Sequence, residues 1–134
     1  MAIQIHYWSP DVEQQLAYYV DVLSFELVHR QPDEGPTDFC ILKLGDAQIM
    51  IGANPQGLIS ADRADHRLLQ EVAPRVGVPG PISVYIGVED IDTLCEQVTT
   101  RGARIVEPIW DAPWGQRQFS VIDPDDNITT FFAA

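Results

Sequence analysis

Gln4, His6 and Trp8 follow one another at intervals of two residues, and Ser83 and Tyr85 repeat that interval further along the chain. On extended backbone, residues two apart point to the same side. Each run would therefore set hydrogen-bonding groups beside aromatic surface, the combination that small-molecule clefts present. His6 suits a hydrogen-bonding or stacking place in such a cleft, a purely structural place, or the work of a general base. His29 and His66 fall at a strand end and in a charged segment, where they read as surface residues. Cys40 and Cys95 are the only thiols and form no CxxC pair. They read as buried small hydrophobes rather than a disulfide framework.

The elements that would position these residues are written twice. Ile3 to Tyr7 matches Ile82 to Ile86 at an offset of 79, with apolar residues at the same alternate places. At an offset of 80, Phe39-Cys40-Ile41-Leu42 falls on Phe119-Ser120-Val121-Ile122, and Gly45 to Gln48 on Asp125 to Ile128. Both copies read strand, tight turn, strand. Between the first strand and this hairpin each copy carries a helix. Ser9 is placed to cap the first, with Pro10 in its opening turn and Val12, Leu16, Tyr19/Val20 and Leu23 on one stripe. Asp90 opens the second, whose stripe is Ile91, Leu94, Cys95 and Val98, and Gly102 stands where a left-handed terminating residue belongs. Further strands are expected at Glu26 to His29 and Ala103 to Ile109.

The fold class is therefore α+β: two βαβββ modules in tandem, with mixed, curled sheets and helices on the outer face. The expected division is a first module over 1–53, a linker over 54–81 rich in Pro and Gly, and a second module over 82–134, in one domain. A short helix is expected around Ala61 to Gln70. Ile3, Ile5, Tyr7 and Ile82, Val84, Ile86 should face the helices. Gln4, His6, Trp8, Ser83 and Tyr85 should face the other way. Alternation does not decide whether Phe119 and Val121, or Ser120 and Ile122, share that second face.

Twenty acidic residues against eight basic give a formal charge of −12. That balance repels phosphate backbones and anionic membrane surfaces, so neither nucleic acid nor membrane is an expected partner. It serves solubility, or it draws cations toward a cleft. Apolar runs such as Ile49 to Ile51 are too short to cross a bilayer, and a cytoplasmic home is expected.

Asp11 through Glu26, Val88-Glu89-Asp90-Ile91-Asp92, Arg101-Gly102-Ala103, and Pro113-Trp114-Gly115-Gln116-Arg117 followed by Asp123-Pro124-Asp125-Asp126-Asn127 together carry a likeness. In their order and spacing, from Ile3 to Phe132, the chain resembles the vicinal oxygen chelate superfamily, also called the glyoxalase/bleomycin resistance/dioxygenase family. The resemblance implies two βαβββ modules curled around a shared cleft, commonly in a homodimer. Asp126 replaces the family's usual turn glycine, and Asp tolerates a positive φ better than most residues.

Metal-dependent members take His or Glu ligands from the first and last strands of each module. Residue by residue, those places are Gln4, Met50, Ser83 and Thr130, none of them a good donor for a divalent metal. His6 lies one strand step away but brings no second imidazole or matching carboxylate. The resemblance thus implies no metal, no cofactor and no catalytic residue, closest in character to bleomycin resistance proteins. The expected function is sequestration of an aromatic, cationic ligand such as an antibiotic. The alternative is a metal-dependent enzyme of the superfamily: a lyase, isomerase, thiol transferase or dioxygenase. The expected lining is Gln4, His6, Trp8, Ser83, Tyr85, Trp110, Trp114 and Thr130. Trp114 would close over the ligand or pack on its own hairpin, and Trp110 shares that ambiguity.

Overall fold

A computed structural model describes residues 3–53 and 67–134. The first half runs β1 (Ile5–Trp8), α1 (Val12–Ala17), β2 (Glu26–Gln31), β3 (Phe39–Leu44) and β4 (Ala47–Gly52). After α2 (Arg67–Val72), the second half runs β5 (Val84–Gly87), α3 (Ile91–Thr100), β6 (Arg104–Asp111), β7 (Arg117–Ile122) and β8 (Ile128–Ala133). Each half forms a four-stranded mixed sheet, ordered β1-β4-β3-β2 and β5-β8-β7-β6, in which the first and last strands run parallel. The α+β class and the doubled βαβββ order are as the sequence implies. His66 and most of the helix expected at 61–70 lie outside the described residues.

The helices begin alike. Asp11 accepts a hydrogen bond from the Gln14 amide and Asp90 one from the Thr93 amide, both at 3.1 Å, so each satisfies a free donor of its first turn. Asp11 is thus the cap expected of Ser9. Ser9 is instead fully buried, with its hydroxyl accepting from the Asp11 amide. After Ala17 the helix widens into a π-turn over Tyr18–Val22, which buries the two consecutive tyrosines Tyr18 and Tyr19. Gly102 ends α3 at φ +92°, and Asp126 takes φ +67° in the last hairpin, the left-handed place expected of it.

Both helices pack on the same kind of sheet face. Cys40, Leu42, Ile49 and Ile51 line it in the first module, and Ile86, Phe119, Val121 and Phe131 in the second, all within one core that also holds Val12, Tyr19, Leu23, Ile91, Leu94 and Val98. Each such large apolar side chain contributes roughly 1.5–3 kcal/mol through burial. Ile3 and Ile82 depart from expectation: they precede their strands and stand 92% and 79% exposed. Cys95 is only half buried, on the flank of its helix.

Strand register corrects one part of the repeat. Ile41 pairs with Met50, and Ser120 with Thr130, so β3 and β7 correspond at an offset of 79, not 80. The second hairpin holds one extra residue, between Ile122 and Ile128 against Lys43 and Gln48. A one-residue slip exchanges the two faces of a strand. The corrected phase puts Phe119 and Val121 with the helices and Gln118 and Ser120 on the opposite face.

The modules are tied through Asp123. Its buried carboxylate accepts from Gln15 Nε2 at 3.1 Å and from the Tyr19 hydroxyl at 2.8 Å, both from the first module. It also accepts, at 2.9 Å each, from the Asp125 amide, the Asn127 amide and Asn127 Nδ2. Substituting Asp123→Ala strands these donors and should cost about 3 kcal/mol or more in urea unfolding.

Tyr7 lies beside this network, and burial, then the Asp123 charge, pushes its hydroxyl up to about 12. Burial raises Tyr19 as well. Between the ordinary tyrosine value near 10 and the raised one, the unfolded chain holds fewer protons than the folded one, so stability must fall as pH rises through that window. Urea midpoints should be level up to about pH 9.5 and drop steeply toward pH 12, and Tyr7→Phe should flatten part of the drop.

Candidate functional site

The face of each sheet turned away from its helix carries two rows of side chains set by strand pairing. In the first module these are His6–Met50–Ile41–His29 and Trp8–Gly52–Phe39–Gln31. In the second they are Tyr85–Thr130–Ser120–Glu107 and Gly87–Phe132–Gln118–Trp110. The expected lining residues therefore fall into two groups, one on each sheet.

On the first sheet the His6 ring lies 4.0 Å from Trp8 and edge-on to Phe39, at 5.9 Å. Gly52 makes room for it: a Cβ there would stand 2.7 Å from His6 Nε2. Nε2 is buried with no hydrogen-bond partner, and burial lowers the imidazole below its usual range, so the ring is neutral at pH 7. Gln4, exposed ahead of β1, bonds through Nε2 to Gln48 at 2.8 Å. His6 and Trp8 line an open cavity of about 430 Å³ at the edge of β1, together with Gly77, Val78, Ile82 and Val84. Of the residues expected in the lining, Gln4, Ser83, Tyr85, Trp110, Trp114 and Thr130 are not part of it.

On the second sheet an aromatic ring again lies over a glycine, with the places exchanged. Phe132 on β8 covers Gly87 on β5, 3.2 Å from where a Cβ would sit, whereas on the first sheet the rings are His6 and Trp8 of β1 and the glycine is Gly52 of β4. Tyr85 stands beside Phe132, their rings 6.4 Å apart. Thr130 is buried, its hydroxyl 2.7 Å from that of Ser120. Trp110 and Trp114 meet edge to face at 5.7 Å and 87° while remaining 37% and 60% exposed. Trp114 both packs on its hairpin and presents open aromatic surface. Ser83 is exposed just before β5, outside the paired rows.

Three residues here were missed by sequence reasoning. Gln118 is buried; its Oε1 accepts from Trp114 Nε1 at 3.2 Å and its Nε2 donates to Glu107 Oε1 at 3.0 Å. Ser120 and Glu107 complete the polar row, and hydrogen bonding from Gln118, then Trp110, holds the Glu107 carboxyl below the usual carboxylate range. For Gln118 and Ser120 the signal was the alternation Gln118-Phe119-Ser120-Val121, visible once the hairpin is aligned at the right offset; Glu107 had no such signal.

The four places where a metal could be held do not fit one. The Gln4 amide is engaged by Gln48 and the Thr130 hydroxyl by Ser120, while Met50 offers a thioether and Ser83 an exposed hydroxyl. Among the described residues, no three His, Cys, Asp or Glu side chains cluster as ligands.

Two tandem βαβββ modules, with aromatic inner faces and no cluster of metal-donor side chains among the described residues, place the chain in a class of small α+β proteins. The profile of the Glyoxalase/Bleomycin resistance protein/Dioxygenase superfamily matches residues 3–131, and the chain belongs to this family. It is 31% identical over 126 residues to proteins named bleomycin resistance protein from Geobacillus stearothermophilus and Staphylococcus aureus, covering 91% of this chain and 88% of theirs. Its fold is similar to TioX from Micromonospora sp. ML1, with a TM-score of 0.76 at 24% identity over 100% of this chain and 96% of that one. A glyoxalase-related enzyme from Fulvimarina pelagi gives 0.69 at 17% identity, over 100% and 88%. Among the described residues, no helix is long and apolar enough to cross a membrane.

Gly52 supplies a direct test of the first sheet. Gly52→Ala should displace the His6 ring and cost about 1–3 kcal/mol of stability. The His6 imidazole resonances should shift in the same variant, and unchanged signals would mean that the glycine is not what seats the ring.

Proposed function

We propose that this protein sequesters an aromatic small molecule, an antibiotic among the candidates, and releases it unchanged. The observation that carries this reading is the second sheet's inner face. There Tyr85, Phe132, Trp110 and Trp114 flank a hydrogen-bonded row, Thr130–Ser120–Glu107, and Thr130 stands where a metal-dependent relative would need a stronger donor. Open indole surface beside fixed polar groups favours stacking with orientation. The similarity to proteins named bleomycin resistance protein supports the same ligand class.

The working form is a homodimer in the cytoplasm. Supporting the dimer, the two modules share their core on the helix side, so their inner faces are turned to separate surroundings within one chain. Among the described residues the outer edges of β1 and β5 pair with no other strand, and Ile3, Val78 and Ile82 stand exposed near them. In the proposed dimer, the first module's face in one protomer is completed by the second module's face in its partner. Gln4, His6, Trp8 and Ser83 then line the cleft together with Tyr85, Trp110, Trp114 and Thr130. Sedimentation equilibrium should give twice the 15.0 kDa chain mass, and a monomer at micromolar concentration would contradict this assembly.

Calorimetric titration with planar aromatic antibiotics, followed by mass analysis of the recovered compound, tests the reading. The expected result is saturable binding with the compound intact, and a Trp114→Ala variant that keeps its melting temperature within a few degrees yet binds at least about tenfold more weakly. Turnover of the compound, or a stoichiometric transition metal in protein purified without chelator, would favour an enzyme instead.

A further inference from the structure

Glu107 is the only charged side chain in the two inner rows of the second sheet. It sits on β6, an edge strand, between two breaks of register, one toward Ile105 and one toward Trp110, with Pro108 directly after it. Such irregularities re-aim a side chain out of the regular pleat, and proline is tolerated on an edge strand. The carboxylate receives Gln118 Nε2 at 3.0 Å and has the Trp110 and Ser120 side chains as further hydrogen-bonding neighbours. All of these donors are neutral. The other carboxylates of β6 and its surroundings are balanced differently: Asp92 and Asp111 pair with Arg117, and Asp126 with Arg104. Among the described residues, no Lys or Arg lies within ion-pair distance of Glu107.

Gln118 holds the arrangement together. Its buried amide is used at both ends, by Trp114 and by Glu107, so one side chain sets the distance between an indole and a negative charge. Trp110 and Trp114 form two walls of a corner at 87°, and both keep exposed surface. Indole faces attract cations, and a nearby carboxylate without a countercharge adds to that attraction.

We propose that Glu107, Trp110 and Trp114 form a seat for a positively charged group, of the quaternary ammonium or N-alkylated heteroaromatic kind, with Gln118 as its positioning residue. This rests on the reading of the protein as a binder of aromatic molecules, and adds that the ligand's charge is read at this corner. The net charge of −12 draws cations to the protein as a whole, whereas the seat selects where one stops.

The test compares N-methylquinolinium with quinoline, which is neutral at pH 7.5 and has the same planar ring. Calorimetry should find the cation bound about tenfold more tightly or better by the wild type, with the preference shrinking as salt is added. Glu107→Gln keeps the hydrogen-bonding outline and should remove most of that preference, leaving quinoline affinity within about twofold. Glu96→Gln, an equal change of net charge on the exposed side of α3, should leave the preference intact. Equal affinity of the wild type for both probes would overturn the proposal while leaving aromatic binding standing, as would a Glu107→Gln variant that weakens both alike. Failure of both probes to bind would remove the aromatic-binding reading and this seat with it. Should Glu107→Gln fold poorly, the wild-type preference and its behaviour in Glu96→Gln still decide the outcome.

Discussion

The carboxylate of Asp123 is buried where the two halves of the chain meet, and five donors converge on it, two of them from the first module. A charge in such a place is tolerated only when its acceptor sites are satisfied, so the network has few alternative geometries. It fixes the turn that leads from β7 to β8 and ties that turn to Gln15 and Tyr19 of the first helix. Through those two strands, the same turn sets the register that aligns Ser120 with Thr130 and Gln118 with Phe132. The inner face of the second sheet thus depends on a polar knot on the opposite side of the same strands. The π-turn at Tyr18–Val22 is the matching device in the first module: it brings Tyr19 to Asp123 and Tyr18 to the backbone amide of Arg104.

Much of this was legible in the amino-acid order. The doubled pattern, the cap at Asp90, the left-handed Gly102 and the positive φ at Asp126 each follow from local rules that the fold obeys. What was not legible arose where two local signals competed. Ser9 and Asp11 are both good capping residues, and tertiary burial took Ser9 away from that role. Phe39 and Phe119 invite alignment by residue type, but the pairing of Cys40 with the core shows that Phe119 corresponds to Cys40 instead. One additional turn residue was enough to disguise the correspondence and, with it, Gln118 and Ser120.

The site itself was half visible. The alternation of Gln4, His6, Trp8 and of Ser83, Tyr85 with apolar neighbours pointed to an aromatic face, and the family resemblance set weak metal donors at Gln4, Met50, Ser83 and Thr130. Glu107 could not be singled out among twenty acidic residues, because its meaning comes from what surrounds it: neutral donors, two indoles and, among the described residues, no basic partner. The inner faces of the two modules differ in charge. The first offers a neutral imidazole in an aromatic nest, and the second an ionised carboxylate beside open indoles, so a ligand spanning both would meet one neutral and one charged end.

In the proposed function, aromatic molecules stack on the inner faces that carry Trp8, Trp110 and Trp114. The indole N–H resonances of these three residues, followed by proton–nitrogen correlation spectra during titration with a planar aromatic ligand, test it most directly. The Trp110 and Trp114 signals should move most, saturating together, with Trp8 following if the partner's first module closes the cleft. Saturable binding that leaves all three indole signals in place would contradict it.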